Sequence, residues 1–465
     1  MTTRIQEATE PLRGKLRGKA VLPHDPGYDE ARKLWNAMID RRPAVIVQCA
    51  DGGDVQQALA FGRENGLEIS VRGAGHNIAG NAICDHGLMI DFSTMQKVRV
   101  DAGKKRAYVE PGATLRVLDE ATQAHGLATP VGINSTTGIA GLTLGGGFGW
   151  LTRLHGLTID NLVAAEMITV EGAKVRASEN ENPDLFWAIR GGGGNFGVVT
   201  QFEFMLHPVG PEVFAGLLVF PFRQARQVLT RYREFTASSP LELNVWVVLR
   251  KAPPLPFLLS DVHGKEVVVL PVFYGGAVAD GPRQIEPLRR FGDLLGEHIG
   301  AQPYVQWQQA FDPLLTPGAR NYWKSHNFTE LSDGALDVMI EYAGKLPTPQ
   351  CEIFVGHIAG ASNRRPSGAT AYVARDAKFV LNVHGRWEEA AQDQAGIEWA
   401  RAFFQASAPY ASGGAYVNFM TEEEGDRVAA AYGPNYARLA EIKKKYDPQN
   451  LLHLNQNIKP AAGSA

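Results

Sequence analysis

The alternation of apolar and polar positions divides this chain into two textures. In the first, short apolar runs are separated by glycine-rich loops. Ala44-Val45-Ile46-Val47-Gln48-Cys49 is an apolar run of strand length and predicts a buried strand. Asp54 to Asn65 repeats its apolar positions, Val55, Leu59 and Phe61 among them, with helical spacing, and Asn65-Gly66 stops it. Leu67 to Arg72 predicts the next strand, which makes a βαβ-like unit ending on Gly73-Ala74-Gly75-His76. Leu88 to Phe92, Arg106 to Glu110 and Leu162 to Val170 predict further strands, and Leu115 to Gly126 a helix. After Pro208-Val209-Gly210 the second texture begins. Strand candidates at Val213 to Val219, Val267 to Tyr274 and Phe379 to Val383 alternate with amphipathic helices. A basic amphipathic helix, Tyr436 to Tyr446, leads into Asp447-Pro448. A chain of 465 residues is too long for one ordinary core, and the change of texture places a domain boundary between residues 208 and 209. No internal repeat is evident.

The 50 glycines exceed the usual share of about 7% and gather in a few loops. The first loop holds a histidine: Val71-Arg72-Gly73-Ala74-Gly75-His76-Asn77. The second is Gly138-Ile139-Ala140-Gly141-Leu142-Thr143-Leu144-Gly145-Gly146-Gly147-Phe148-Gly149. The third is Arg190-Gly191-Gly192-Gly193-Gly194-Asn195-Phe196-Gly197. Glycine allows positive φ and close backbone approach, and successive N–H groups form a nest for an anion such as a pyrophosphate. No Gly-Lys-Ser/Thr follows any cluster, so a P-loop is excluded. A dinucleotide threaded between several loops fits better than one docked on a single helix N-terminus. Each run taken alone also reads as a tight inter-element turn.

Charge narrows the partners. The formal net charge is −3, which gives no electrostatic footing for nucleic acid or an acidic membrane. Met1 to Ala20 is polar, so neither a secretory signal nor a membrane anchor is expected there. Cys49, Cys84 and Cys351 are far apart and odd in number, which suits a reducing compartment and gives no metal-site spacing. The histidines show none either. A cytoplasmic protein without a metal is expected, as a monomer or a homodimer, acting on a small molecule.

The motifs together resemble the FAD-linked oxidases of the berberine bridge enzyme-like group, within the vanillyl-alcohol oxidase / p-cresol methylhydroxylase superfamily. The resemblance rests on Arg72-Gly73-Ala74-Gly75-His76, on Gly138-Ile139-Ala140-Gly141 with Gly145-Gly146-Gly147-Phe148-Gly149, and on Leu154-His155-Gly156-Leu157-Thr158-Ile159-Asp160-Asn161. It extends over Asp184-Leu185-Phe186-Trp187 to Gly197 and the tail from Tyr446-Asp447-Pro448 to Asn457-Ile458, nearly the whole chain. His155 departs from the family, standing where members often carry tyrosine. The resemblance implies an α+β, two-domain fold. A split FAD domain (1–208 and 420–465) would enclose an antiparallel-sheet substrate domain (209–419) covered by helices.

The resemblance also implies FAD bonded through its 8α-methyl to the ring of His76. The second bond of many members, from a cysteine to the flavin C6, has no counterpart, because the cysteine's place falls on Asn134; a single bond is expected. Thr137, three residues later, matches the gate for oxygen. The cofactor-binding set carried onto this chain is Arg72, Gly73, Ala74, Gly75, His76, Asn77, Gly80, Gly132, Thr137, Gly138, Gly141, Gly145, Gly146, Gly149, Asn161, Gly194, Gly197, Val199, Asn455 and Asn457.

A flavin accepts hydride from a substrate C–H at its face, and the protein must orient that carbon and take the hydroxyl or amine proton. Tyr416-Val417-Asn418-Phe419 resembles the family's Tyr-x-Asn strand. In a strand Tyr416 and Asn418 share a face, and Tyr416 serves as base if its phenol pKa is lowered; a core tyrosine with a satisfied hydroxyl is the alternative. His384, in Asn382-Val383-His384-Gly385-Arg386, is either a substrate contact or a buried core histidine. Glu352 is the alternative base, and Arg364 and Arg365 read as solvated loop charges. The expected activity is an oxidase that passes hydride from an alcohol, sugar, amine or secondary metabolite to FAD and then to O2, giving H2O2. A dehydrogenase or oxidative cyclase poorly reactive with O2, and a flavin-binding protein without turnover, are the alternatives.

Overall fold

The computed structural model of the chain describes residues 2–462. Two small sheets come first. Strands β1 (Lys19–Val21), β2 (Val45–Gln48), β3 (Ile69–Arg72) and β4 (Leu88–Asp91) form a sheet in the order β1-β2-β4-β3, with β2, β4 and β3 parallel. Helix α1 (Gly52–Glu64) makes the β2-to-β3 crossover. Its N-terminus is capped by Asp51, whose carboxylate accepts from the Gly53 and Asp54 N–H groups. Because α1 covers one face and Tyr28, Leu34 and Ile83 pack against Ile46 and Met89 on the other, the strands read as continuous apolar runs rather than alternating ones, and Val45, Val47, Leu59 and Ile90 are fully enclosed.

The second sheet is antiparallel, in the order β5-β6-β9-β7-β8. Its strands are β5 (Val98–Asp101), β6 (Arg106–Val109), β7 (Leu162–Ile168), β8 (Lys174–Ser178) and β9 (Val198–Met205). Helices α2 (Leu115–Gln123), α3 (Ile139–Leu144) and α4 (Pro183–Ile189) lie between these strands in sequence. The three glycine loops follow β3, surround α3, and link α4 to β9.

Beyond residue 210 an eight-stranded antiparallel sheet dominates. Its strands are β10 (Glu212–Pro221), β11 (Leu243–Val245), β12 (Val247–Lys251), β13 (Glu266–Tyr274), β14 (Gly296–Pro303), β15 (Arg320–Phe328), β16 (Glu352–His357) and β17 (Phe379–Trp387). They run β14-β10-β13-β12-β16-β17-β15, with β11 beside β13. Helices α5 (Ala225–Thr236), α6 (Asp333–Ala343) and α7 (Asp393–Ser407) bury Leu381, Val383 and Ile353 from one face. The other face carries the residues in between, Asn382, His384, Glu352 and Phe354. All nine residues of β17 are buried, so both faces are covered, and the polar ones are those turned from the helices.

The chain returns to the first part at its end. Helix α8 (Tyr436–Tyr446) packs Leu439, Ala440, Ile442 and Tyr446 into the core of the second sheet. Its Lys443 is fully buried, donating to the Asn195 and Leu452 carbonyls and to Asp447 at 2.6 Å. The tail is thereby fastened to the third glycine loop. No helix among the described residues is long and apolar enough to cross a membrane, and no three His, Cys, Asp or Glu side chains among them group as a metal site. The three cysteines are free and buried.

Candidate active site

A cavity of about 320 Å³ runs from the glycine loops to the polar face of the large sheet. One end is made of backbone. Gly73, Ala74, Gly75, His76 and Asn77 line it, and the N–H groups of Ala74, Gly75, His76 and Asn77 have no hydrogen-bond partner among the described residues. Gly75 sits at φ +77°, which reverses the chain and leaves these donors free. Gly138 presses on the same loop: a Cβ there would lie 2.8 Å from the Ala74 nitrogen. Gly132, Gly141, Gly145, Gly194, Gly197, Val199 and Asn455 line the cavity too. Unpaired donors on a cradle without side chains suit the pyrophosphate and ring edges of FAD, so the residues present fit that group.

His76 stands where this cradle opens toward the sheet. Trp35 stacks on its ring at 4.9 Å and 22°. Its Nε2 lies 3.0 Å from the Thr136 Oγ1, and its Nδ1 3.5 Å from the Thr137 Oγ1. Enclosure by protein keeps the imidazole neutral, its pKa pushed down to about 3. What surface it retains faces the cavity.

The far end is polar. Arg250, Glu352 and His384 are cross-strand neighbours on β12, β16 and β17. Arg250 holds one Glu352 oxygen at 2.7 Å, and His384 Nδ1 lies 3.3 Å from the other. Burial pushes the Glu352 carboxyl up, but Arg250 and His384 outweigh it and hold it below the ordinary range. Burial lowers His384 despite Glu352. A neutral His384 donating from Nδ1 leaves Nε2 as an acceptor, and this buried atom has no partner. The Trp323 Nε1 and both amide atoms of Asn382 are buried without partners as well, and all three residues line the cavity.

Tyr416 and Asn418 reach the same cavity by a different geometry from the expected strand. Val417–Phe419 is a 3₁₀ turn. The segment is anchored by side chains: the Tyr416 hydroxyl accepts from the Gly147 N–H at 3.0 Å and from Asn418 Nδ2 at 3.1 Å, and Asn418 also donates to the Leu142 carbonyl. Phe148 and Phe419 pack edge-on against the Tyr416 ring. Nor is the phenol lowered. Burial outweighs the two donated hydrogen bonds and pushes it up to about 12.

Five of the expected cofactor contacts lie outside the cavity wall. Arg72 is paired with Asp91 at 2.7 Å and holds the base of the loop. Asn161 donates to the His155 and Leu157 carbonyls. Gly80, Gly146 and Gly149 are close-packing positions; a Cβ on Gly149 would meet the Val131 carbonyl at 1.8 Å. A sixth, Asn457, is not on the wall either, and its Oδ1 is buried without a partner. Arg364 is exposed, whereas Arg365 lies 3.4 Å from the buried Asp160, so only the first is a purely solvated charge. Sequence reasoning missed Trp35, Thr136, Trp246, Phe354 and Trp323. The alternation in β16 and β17 held the signal for Phe354, since it falls on the face of Glu352 and His384.

Two family models match the chain. One is described as an FAD binding domain, over residues 43–178, and the other as berberine and berberine like, over residues 415–459. An FAD-linked oxidoreductase of Dictyostelium discoideum is 32% identical, covering 92% of this chain and 91% of its own. The structure of 6-hydroxy-D-nicotine oxidase from Arthrobacter nicotinovorans superposes with a TM-score of 0.84 at 27% identity, over 96% of this chain and 98% of that one. Glucooligosaccharide oxidase from Acremonium strictum, described with a 6-S-cysteinyl, 8α-N1-histidyl FAD, shares the fold: its TM-score is 0.86 at 22% identity, over 99% of this chain and 100% of that one. With the unpaired N–H nest, the glycine cradle and the sheet face closing over them, these likenesses lead to one conclusion: the chain belongs to the berberine bridge enzyme-like FAD-linked oxidoreductases.

Proposed function

We propose that the protein is an oxidase that holds FAD covalently through His76, takes hydride from a small molecule and passes the electrons to O2. The observation that carries this is the single cavity joining the N–H nest and His76 to the pair His384–Glu352. Residues 1–208 and 420–465 form the FAD part in this reading, and 209–419 the substrate part. The bound flavin supplies the hydride acceptor. The Ala74–Asn77 N–H groups hold its pyrophosphate, and Thr137 borders the oxygen path.

His384 acts as general base. Its ring lines the cavity with a buried, unpartnered Nε2, and Glu352 stabilises the imidazolium that forms when it takes the substrate's hydroxyl or amine proton. Tyr416 accepts two hydrogen bonds, so its own O–H is left to donate to the substrate. Trp246, Phe354 and Phe419 enclose the apolar body of the substrate. These features suit an alcohol, sugar, amine or secondary metabolite of modest size. Acid precipitation tests the cofactor: the pellet should stay yellow and its flavin should map to the peptide containing His76. Flavin released into the supernatant would show that the cofactor is not covalently held.

A further inference from the structure

Asn134, which by the family resemblance falls at the place of a cysteine link to the flavin, begins a segment, Asn134-Ser135-Thr136, whose hydrogen bonds run to His76. The Asn134 Oδ1 accepts from the Thr136 backbone N–H at 3.0 Å. A backbone N–H is an obligate donor, so this contact identifies the amide oxygen. The Thr136 hydroxyl lies 2.7 Å from that same oxygen and must donate to it. With its one hydrogen committed, the Thr136 Oγ1 can only accept from the His76 Nε2, 3.0 Å away. His76 therefore carries its proton on Nε2 and its lone pair on Nδ1. The Thr137 Oγ1, 3.5 Å from Nδ1, is free to donate to the lone pair there; Asn134 is buried, its Nδ2 directed to the Leu315 carbonyl at 3.4 Å, and Trp35 stacks on the imidazole.

We propose that Asn134 and Thr136 are positioning residues that set the His76 tautomer and so direct flavin attachment to Nδ1. The inference rests on the covalent reading given above. The bond formed joins Nδ1 to the flavin 8α-carbon. The methyl group gives up one hydrogen as a proton and the imidazole gives up the Nε2 proton, and the two-electron reduced flavin takes up the equivalent of both. The two electrons remain on the flavin as its two-electron reduced form, and O2 reoxidises it to yield H2O2. With Nε2 already donating, the reverse attachment would require breaking the Thr136 contact first.

The test uses the full-length chain prepared without flavin, given FAD in air, and followed by the acid-precipitable yellow colour. The linking nitrogen is read by NMR of the isolated flavinyl peptide. Wild-type protein should bond through Nδ1 alone. Thr136→Val, which keeps the shape and removes the hydroxyl, should incorporate FAD about 10-fold more slowly and give both isomers. Thr136→Ser should restore wild-type behaviour. Asn134→Ala should also slow attachment, because the freed hydroxyl can then donate to Nε2 and reverse the tautomer. A wild-type bond at Nε2 would overturn the proposal while leaving covalent attachment intact. So would a Thr136→Val protein that incorporates FAD at the wild-type rate through Nδ1 alone. If Thr136→Val does not fold, the wild-type nitrogen and the Asn134→Ala rate still decide. Wild-type protein with no covalent flavin would remove the reading beneath it.

Discussion

Replacing Glu352 by Gln isolates the charge that supports His384. The amide oxygen still accepts from His384 Nδ1, so the tautomer survives, and only the negative charge 3.3 Å from the ring is lost. A hydrogen bond to a charged group is worth about 1.5–3 kcal/mol. Arg250, 2.7 Å from the other carboxylate oxygen, stays behind and now opposes the imidazolium without compensation. Flavin reduction should therefore slow by about 10- to 100-fold, at about 1.4 kcal/mol per decade. The pH dependence has a definite sign. The base is active when neutral, so the reduction rate falls as pH drops through the His384 pKa, which lies below its ordinary value. Glu352 raises that pKa, so removing its charge must move the acid limb to still lower pH. Anaerobic stopped-flow reduction across pH, with binding and reduction separated by substrate concentration, gives both quantities. A largely enclosed Arg250 that has lost its carboxylate also destabilises the fold, and Glu352→Gln/Arg250→Gln controls for this, recovering thermal stability without the rate. A single variant that reduces flavin as fast as wild type with an unmoved acid limb would refute the base assignment.

His384→Gln should lose about 10²–10⁴-fold in anaerobic reduction while reoxidation by O2 stays near wild type; equal loss in both half-reactions would point to a structural role. Tyr416→Phe strands two donors, Gly147 N–H and Asn418 Nδ2, so it should lower the melting temperature, and it should slow reduction by about 10-fold, the value of one lost hydrogen bond to substrate. Lys443→Met leaves Asp447 buried and unpaired, which should cost about 3–5 kcal/mol in denaturant unfolding. Gly138→Ala drives a Cβ against the Ala74 nitrogen, and flavin content per chain should fall while the secondary structure seen by circular dichroism is retained.

Much of this was legible in the sequence where a local rule acts alone. The β2–α1–β3 unit followed from an apolar run, a helical period and an Asn-Gly stop, and the structure ends that helix one residue before the asparagine. The glycine loops were readable because unhindered backbone has one composition. Arg72, Asn161 and Gly149, carried over as cofactor-binding, stand off the cavity wall, since a motif marks residues that build a loop as well as those that face its ligand. Tyr416-Val417-Asn418-Phe419 reads as a strand by pattern, yet its Val417–Phe419 part forms a 3₁₀ turn, held by a hydrogen bond from Gly147, 269 positions earlier, to Tyr416. No periodicity records such a contact. The Arg250–Glu352–His384 row was invisible for the same reason: its members are brought into register only when β12, β16 and β17 pair.

The most direct test of an FAD oxidase is a mixing experiment in two stages. Purified protein is screened without oxygen against alcohols, sugars and amines, and the visible flavin band is followed; air is then admitted and peroxide is measured. The account predicts that a substrate bleaches the band and that oxygen restores it within a turnover, with H2O2 equimolar to the flavin reduced. A band that no substrate bleaches, or a bleached flavin that stays reduced in air, would contradict it.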